Sequence, residues 1–126
     1  MPHILVEGTI RLEEVARRHA PWDDRRGDLL VKFDRLYLET GGRGALLEAL
    51  VVERGRPQRF FVSMQARDGA VMVRCEPLTD PEKTAGVKRA LALVADRLRA
   101  DSGGRYGTTN IAEFLIPPDG TERREG

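Results

Sequence analysis

The sequence lacks the features that would direct it to a membrane or to an oxidising compartment. It contains one cysteine, Cys75, which has no second thiol with which to form an internal disulfide. The longest uninterrupted apolar run, residues 90–95, is far too short to span a bilayer. The first ten residues carry Glu7 and no basic stretch before their short apolar run, so they do not resemble a signal peptide. We therefore expect a cytoplasmic protein with no membrane contact.

Histidine and cysteine, the side chains typical of zinc sites, are equally scarce. The two histidines, His3 and His19, form no close pair with each other or with Cys75, whereas a zinc site needs several such ligands. The sequence offers no evident partner that would activate Cys75 as a nucleophile. The glycine-rich segments 41–44 and 102–110 do not lie between a strand and a helix N-terminus, as phosphate-binding loops do. The sequence predicts no catalytic residue, no metal and no cofactor, and an enzyme ranks last among the functions considered.

Charge of one sign is not in excess, because the formal net charge is +1. Such a balance gives no global attraction to nucleic acid or to anionic lipid. A cluster of arginines that includes Arg59 and Arg74 accompanies Phe61 on one predicted sheet face, an arrangement compatible with weak nucleic-acid binding. We favour a solvated sheet face instead, since a nucleic-acid domain usually has a stronger basic excess.

The N-terminal half predicts strands and one short helix. Residues 3–8 form a strand, residues 11–19 form an amphipathic helix stopped by Pro21, and residues 22–27 form a polar loop around Trp22. Residues 28–40 form a long strand whose apolar alternation changes parity near Asp34 and Arg35, which is typical of a β-bulge or bend. Residues 45–53 form a central strand.

The clearest local pattern is a hairpin over residues 60–76. Asp68 and Gly69 suit a two-residue turn. Such a turn pairs Arg67 with Ala70, so the numbers of any two paired residues add up to 137. This register places Val62, Met64 and Cys75 on a buried face. The opposite face carries Phe61, Met72 and Arg74.

A long helix follows the hairpin. Either Asp80 with Pro81, or Thr79 with Glu82, is expected to begin it, and Gly103 and Gly104 are expected to end it. The periodicity of residues 87–98 predicts an apolar stripe. The pattern of residues 105–116 fits either a last strand or a short helix. Residues 117–126 are expected to form a flexible tail.

The predicted fold is one α+β domain over residues 1–116: a strand, a short helix, a four-stranded antiparallel meander, and a long C-terminal helix packed on one sheet face. This element order is similar to helix-grip and TATA-binding-protein-like architectures, in which a curved sheet wraps the last helix. The similarity is one of order alone, and no motif identifies a family.

Three binding functions follow from this fold. The first is a non-enzymatic module that holds a small apolar ligand or a partner segment between sheet and helix, with Trp22, Met64 and Tyr106 lining the space. The second is a protein-interaction or homodimer module that uses the outer sheet face around Phe61, Met72, Arg59 and Arg74. The third, weak nucleic-acid binding through the arginine-rich hairpin, is the least favoured.

Overall fold

The structure is a computed structural model and describes residues 1–118, so residues 119–126 of the predicted tail lie outside the described part. Within this range the chain forms two helices and seven strands, followed by a 3₁₀ turn at Ala112–Phe114. In chain order they are β1 (His3–Glu7), α1 (Leu12–Arg18), β2 (Trp22–Arg26), β3 (Leu29–Leu38), β4 (Gly44–Glu53), β5 (Arg56–Arg67), β6 (Ala70–Cys75), α2 (Ala85–Ser102) and β7 (Arg105–Thr109). The predicted α+β class is confirmed.

The strands form one antiparallel sheet in the order β2-β3-β4-β5-β6-β1-β7. Strands β2 to β6 follow one another as a meander, and β1 is inserted between β6 and β7. The sheet is therefore larger than the predicted four-stranded meander. Both helices pack on the same face, called here the inner face.

The predicted hairpin register is confirmed at every pair of β5 and β6. Val62 pairs with Cys75, and the remaining pairs continue in register to Arg67 and Ala70 next to the turn. Gly69 has φ +68°, the left-handed conformation that such a turn requires. The parity change in β3 is confirmed as well, because the register with β4 shifts between Phe33 and Leu36.

The prediction of a loop at residues 22–27 is wrong, since Trp22–Arg26 pairs with β3 as an edge strand. The strand is hard to recognise because its inner face carries charge. Asp24 and Arg26 occupy inward positions, and Asp24 forms an ion pair with Arg89 of α2 (3.0 Å). Inward charges are one means by which edge strands avoid further pairing, and they remove the apolar alternation that marks a strand.

The predicted start of α2 at residues 79–82 is also wrong. Thr79 and Asp80 belong to a turn in which both backbone N–H groups donate to the carbonyl of Glu76, and Asp80 has φ +29°. The helix begins after Thr84, whose hydroxyl accepts from the Val87 N–H (3.2 Å). It ends as predicted, at Gly103 in the left-handed conformation.

The open alternative for residues 105–116 is resolved as a strand followed by a 3₁₀ turn. β7 pairs with β1, and the segment after it turns back toward α2, where Lys88 lies over the Phe114 ring (5.6 Å).

Helix α2 is enclosed to an unusual degree. Residues 90–96 are all buried, and seven consecutive residues cover every side of an α-helix. The curled sheet covers one side, and Ile116 and the 3₁₀ turn pack against the same hydrophobic core. The space between sheet and helix is thus mostly filled by side chains.

Candidate ligand-binding cleft

A cleft of about 260 Å³ opens where α1, the C-terminal half of α2 and the inner sheet face meet. Its walls come from the segment before α1, from α1 itself, from β2 to β5, and from α2. Trp22 and Met64, two of the three predicted lining residues, lie at this cleft. Its other principal lining residues are Ile10, Arg11, Glu14, Val15, Arg18, His19, Leu36, Leu47, Val94, Arg97, Leu98 and Asp101.

The floor of the cleft is apolar because the strands present their inward positions there. Leu47 of β4 is buried and pairs with Leu36 of β3, which reaches the inner face only because of the bulge before it. Met64 of β5 lies deepest, with 1% of its surface exposed. Val94 and Leu98, one helical turn apart on α2, close the floor from the other side.

Trp22 forms one end of the cleft, and both faces of its ring are occupied. The ring centroid of Phe33 lies 4.4 Å away at an interplanar angle of 34°. On the other side the Arg97 guanidinium carbon lies 3.7 Å from the ring centroid, within the range of a cation–π contact. Trp22 therefore presents only its edge to a ligand.

The rim of the cleft carries three arginines, Arg11, Arg18 and Arg97. Glu14, the nearest carboxylate on α1, forms an ion pair with Arg17 instead. The hydrogen bond from Arg17 holds the pKa of Glu14 below its usual value. Within residues 1–118, none of the three rim arginines forms an ion pair.

His19 is held in place between the end of α1 and the β3 bulge. Its Nε2 donates a hydrogen bond to the backbone carbonyl of Asp34. This bond anchors the end of α1 to the sheet and satisfies a carbonyl at the point where the ladder is interrupted. The role of His19 is thus structural, since it links the end of α1 to β3.

Tyr106 lies away from the cleft, on β7 near the opposite edge of the sheet. Its hydroxyl donates to the carbonyl of Ile116 (2.8 Å), and the Arg99 guanidinium lies over its ring (5.6 Å). Burial raises the pKa of Tyr106. Tyr106 ties the segment after β7 to the sheet.

The four predicted interaction residues lie on the outer sheet face. Phe61 and Met72 are half-buried, and Tyr37 packs against Phe61 edge-to-face at 6.1 Å. Arg59 and Arg74 are separated by the row that contains Phe61. Glu48 pairs with Phe61 on one side, and on the other side the Glu76 N–H donates to the Phe61 carbonyl (2.8 Å). Acidic side chains between the arginines disfavour a continuous nucleic-acid surface.

Sequence reasoning did not identify the rim arginines or the aliphatic floor residues as parts of one site. The parity change in β3 was the available signal for Leu36. No such signal exists for Arg97, because it lies outside the apolar stripe of α2 and contacts Trp22 only through the tertiary fold.

Comparison with protein-family models, curated proteins and solved structures found no match to this chain. In the described range 1–118, no group of histidine, cysteine, aspartate and glutamate side chains has the arrangement of a metal site. The same range contains no helix with the length and apolar character needed to cross a membrane.

Proposed function

We propose that this protein is a cytoplasmic, non-enzymatic binding module that holds a small apolar ligand in the cleft between α1, α2 and the sheet. The observation that supports this most is an open cleft whose floor is apolar and whose rim carries charged side chains. Ligand sites are typically concave and mostly apolar, with a few polar groups that orient the ligand. The arrangement of α1, Trp22 and the rim arginines fits that description.

A small molecule suits the cleft better than a partner segment does. Its volume of about 260 Å³ is just below the range of about 300–1,000 Å³ typical of pockets for drug-sized ligands. A docked peptide helix or strand needs a long open groove or a free sheet edge.

Ligand-observed NMR against a library of small apolar compounds tests this proposal. Trp22 is the only tryptophan and lies at the cleft, so its fluorescence provides a second signal. We expect Val15→Phe, which places extra bulk in the cleft, to weaken binding at least tenfold. Val52→Phe is the matched control, because Val52 is also half-buried but points to the outer face.

Two results would contradict the proposal. One is a library in which no compound shows saturation transfer or alters Trp22 emission. The other is a ligand whose affinity falls equally in the Val15 and Val52 variants, since the cleft would then not be its site.

A second candidate function, homodimerisation through the outer sheet face, is favoured by the charge pattern of that face. Lys32 and Arg59 flank Leu50 in one cross-strand row, which is basic. Glu48 and Glu76 flank Phe61 in the neighbouring row, which is acidic. A twofold axis between these rows would place the basic row of one copy against the acidic row of the other, as an isologous interface requires.

Sedimentation velocity over a wide concentration range measures this association. We expect a monomer–dimer equilibrium that weakens in Phe61→Ala, because truncating a central aromatic often costs more than about 1 kcal/mol of binding free energy. Val15→Phe, on the other side of the sheet, should leave the equilibrium unchanged. A wild-type protein that stays monomeric at the highest concentration rules this function out.

A further inference from the structure

The floor of the cleft offers a ligand aliphatic contacts and no free aromatic face. Apart from Trp22, its apolar side chains are aliphatic or thioether, and they include Leu36, Leu47 and Met64. Phe33 and Arg97 cover the two faces of the Trp22 ring. An aromatic ligand gains much of its specificity from stacking or edge-to-face geometry, which this floor does not favour. A flexible hydrocarbon chain needs only buried apolar area.

The rim adds an excess of positive charge at the mouth of this aliphatic floor. Arg11, Arg18 and Arg97 contribute three guanidinium groups, against Asp101 and a Glu14 carboxylate already paired with Arg17. Guanidinium groups bind carboxylates and phosphates through two parallel N–H donors.

Arg97 is the best positioned of these three groups. Its contact with the Trp22 ring restricts the guanidinium before any ligand arrives. A cation that stacks on a ring keeps its N–H donors available at its edge. Pre-positioning of this kind lowers the entropy that binding costs.

We infer that the ligand is a single-chain aliphatic molecule with an anionic head group, its chain on the Leu36–Met64 side of the cleft and its head at Arg18 and Arg97. This inference rests on the proposed function. The small volume of the cleft matches a chain of medium length, and a two-chain lipid would exceed it.

Three probes with the same eight-carbon chain test the inference: octanoate, 1-octanol and octylamine, each below its micelle-forming concentration. Trp22 emission and ligand-observed NMR measure their affinities. We expect octanoate to bind about five- to tenfold more tightly than octanol, the advantage of about two partly exposed ion pairs, and octylamine to bind most weakly. Added salt should reduce the preference for octanoate over octanol, because exposed charges are screened.

Arg18→Gln should lower the affinity for octanoate about two- to fivefold and leave the affinity for octanol unchanged. Arg67→Gln is the control, because Arg67 is exposed at the hairpin turn, remote from the cleft lining. Octyl phosphate identifies the head group: tighter binding than octanoate upholds the anionic inference and assigns a phosphate.

The outcomes separate the inference from the function on which it rests. Equal affinities for all three probes, or an unchanged octanoate affinity in Arg18→Gln, overturn the anionic head group and leave an apolar binding cleft. No binding of any eight-carbon probe or library compound removes the binding function and the inference together.

Discussion

Cys75 is a residue whose chemical state follows directly from its position in the sheet. The hairpin register places it opposite Val62 on the inner face, and the structure leaves 1% of its surface exposed. Burial raises the pKa of the thiol above its ordinary value of 9.0, because a thiolate loses its hydration in an apolar core. The thiol is therefore a small apolar core group and a poor nucleophile.

This raised pKa predicts a loss of stability in alkali. Above pH 9.0 the Cys75 thiol of the unfolded chain releases its proton while that of the folded chain retains it, so the unfolded state is favoured. The contribution of the protonated Cys75 thiol to the free energy of unfolding is fully present below that pH and declines as the pH rises further. Urea unfolding at pH 8, 9 and 10 measures it, and we expect Cys75→Ala to show a shallower decline than the wild type.

Identical alkaline profiles for the two proteins would contradict this account of Cys75. Tyr106, whose pKa is also raised by burial, should maintain part of the decline in both proteins at still higher pH. A thiol reagent supplies an independent check, since Cys75 should react only as fast as the protein opens.

Residue-scale prediction from sequence succeeded where neighbours along the chain determine burial, as at Val62, Met64 and Cys75. It did not predict the contact of Arg97 with Trp22, which depends on two elements that are far apart in sequence. A guanidinium outside an apolar stripe has the same local pattern whether it points to water or covers an aromatic ring.

Among the elements, α2 has a start that depends on a side chain from another element. Glu53 at the end of β4 accepts hydrogen bonds from the Gly86 N–H (2.9 Å) and from the Thr84 hydroxyl (2.5 Å). A Cβ atom at position 86 would lie 2.6 Å from Cδ of Glu53, so the approach requires glycine. A carboxylate at a helix N-terminus satisfies free N–H groups and interacts favourably with the helix dipole.

We expect Glu53→Ala to lower the free energy of unfolding by about 1–3 kcal/mol, since it removes this cap and leaves part-buried donors without an acceptor. Urea denaturation measures the change. Glu82→Ala is the matched control, because Glu82 is exposed near the same helix end and its carboxylate accepts no hydrogen bond from residues 1–118. Equal stability of the two variants would show that the Glu53 contact does not stabilise α2.

The cap explains why the sequence predicted the end of α2 and not its beginning. Gly103 terminates the helix through its own backbone conformation, which is a local property. Thr79 and Asp80 carry an equally good local starting pattern, but the contact with Glu53 moves the start to Thr84. Strand β2 was missed for a related reason. Its inward-facing Asp24 forms an ion pair with Arg89, which lies 65 residues away in the sequence.

On the scale of the whole molecule, the α+β class and the order of β3 to β6 follow from sequence because consecutive strands tend to pair. The position of β1 between β6 and β7 does not follow, since no local signal encodes pairing between strands so distant along the chain. Core side chains fill much of the predicted space between sheet and helix, and the apolar cleft lies at one end of it. Of the residues predicted to line that space, Trp22 and Met64 border this cleft and Tyr106 does not, and the charged rim was not predicted.

The insertion of β1 has a consequence for the order of folding events. Strand β1 pairs with β6, about 70 residues later, and with β7, next to which the His3 N–H donates to the side chain of Asn110 across 107 positions. Contacts of such long separation raise the contact order and slow folding. Strand β1 therefore stays unpaired until β6, about 70 residues later, has been synthesised, and its second edge stays unpaired until β7 follows α2.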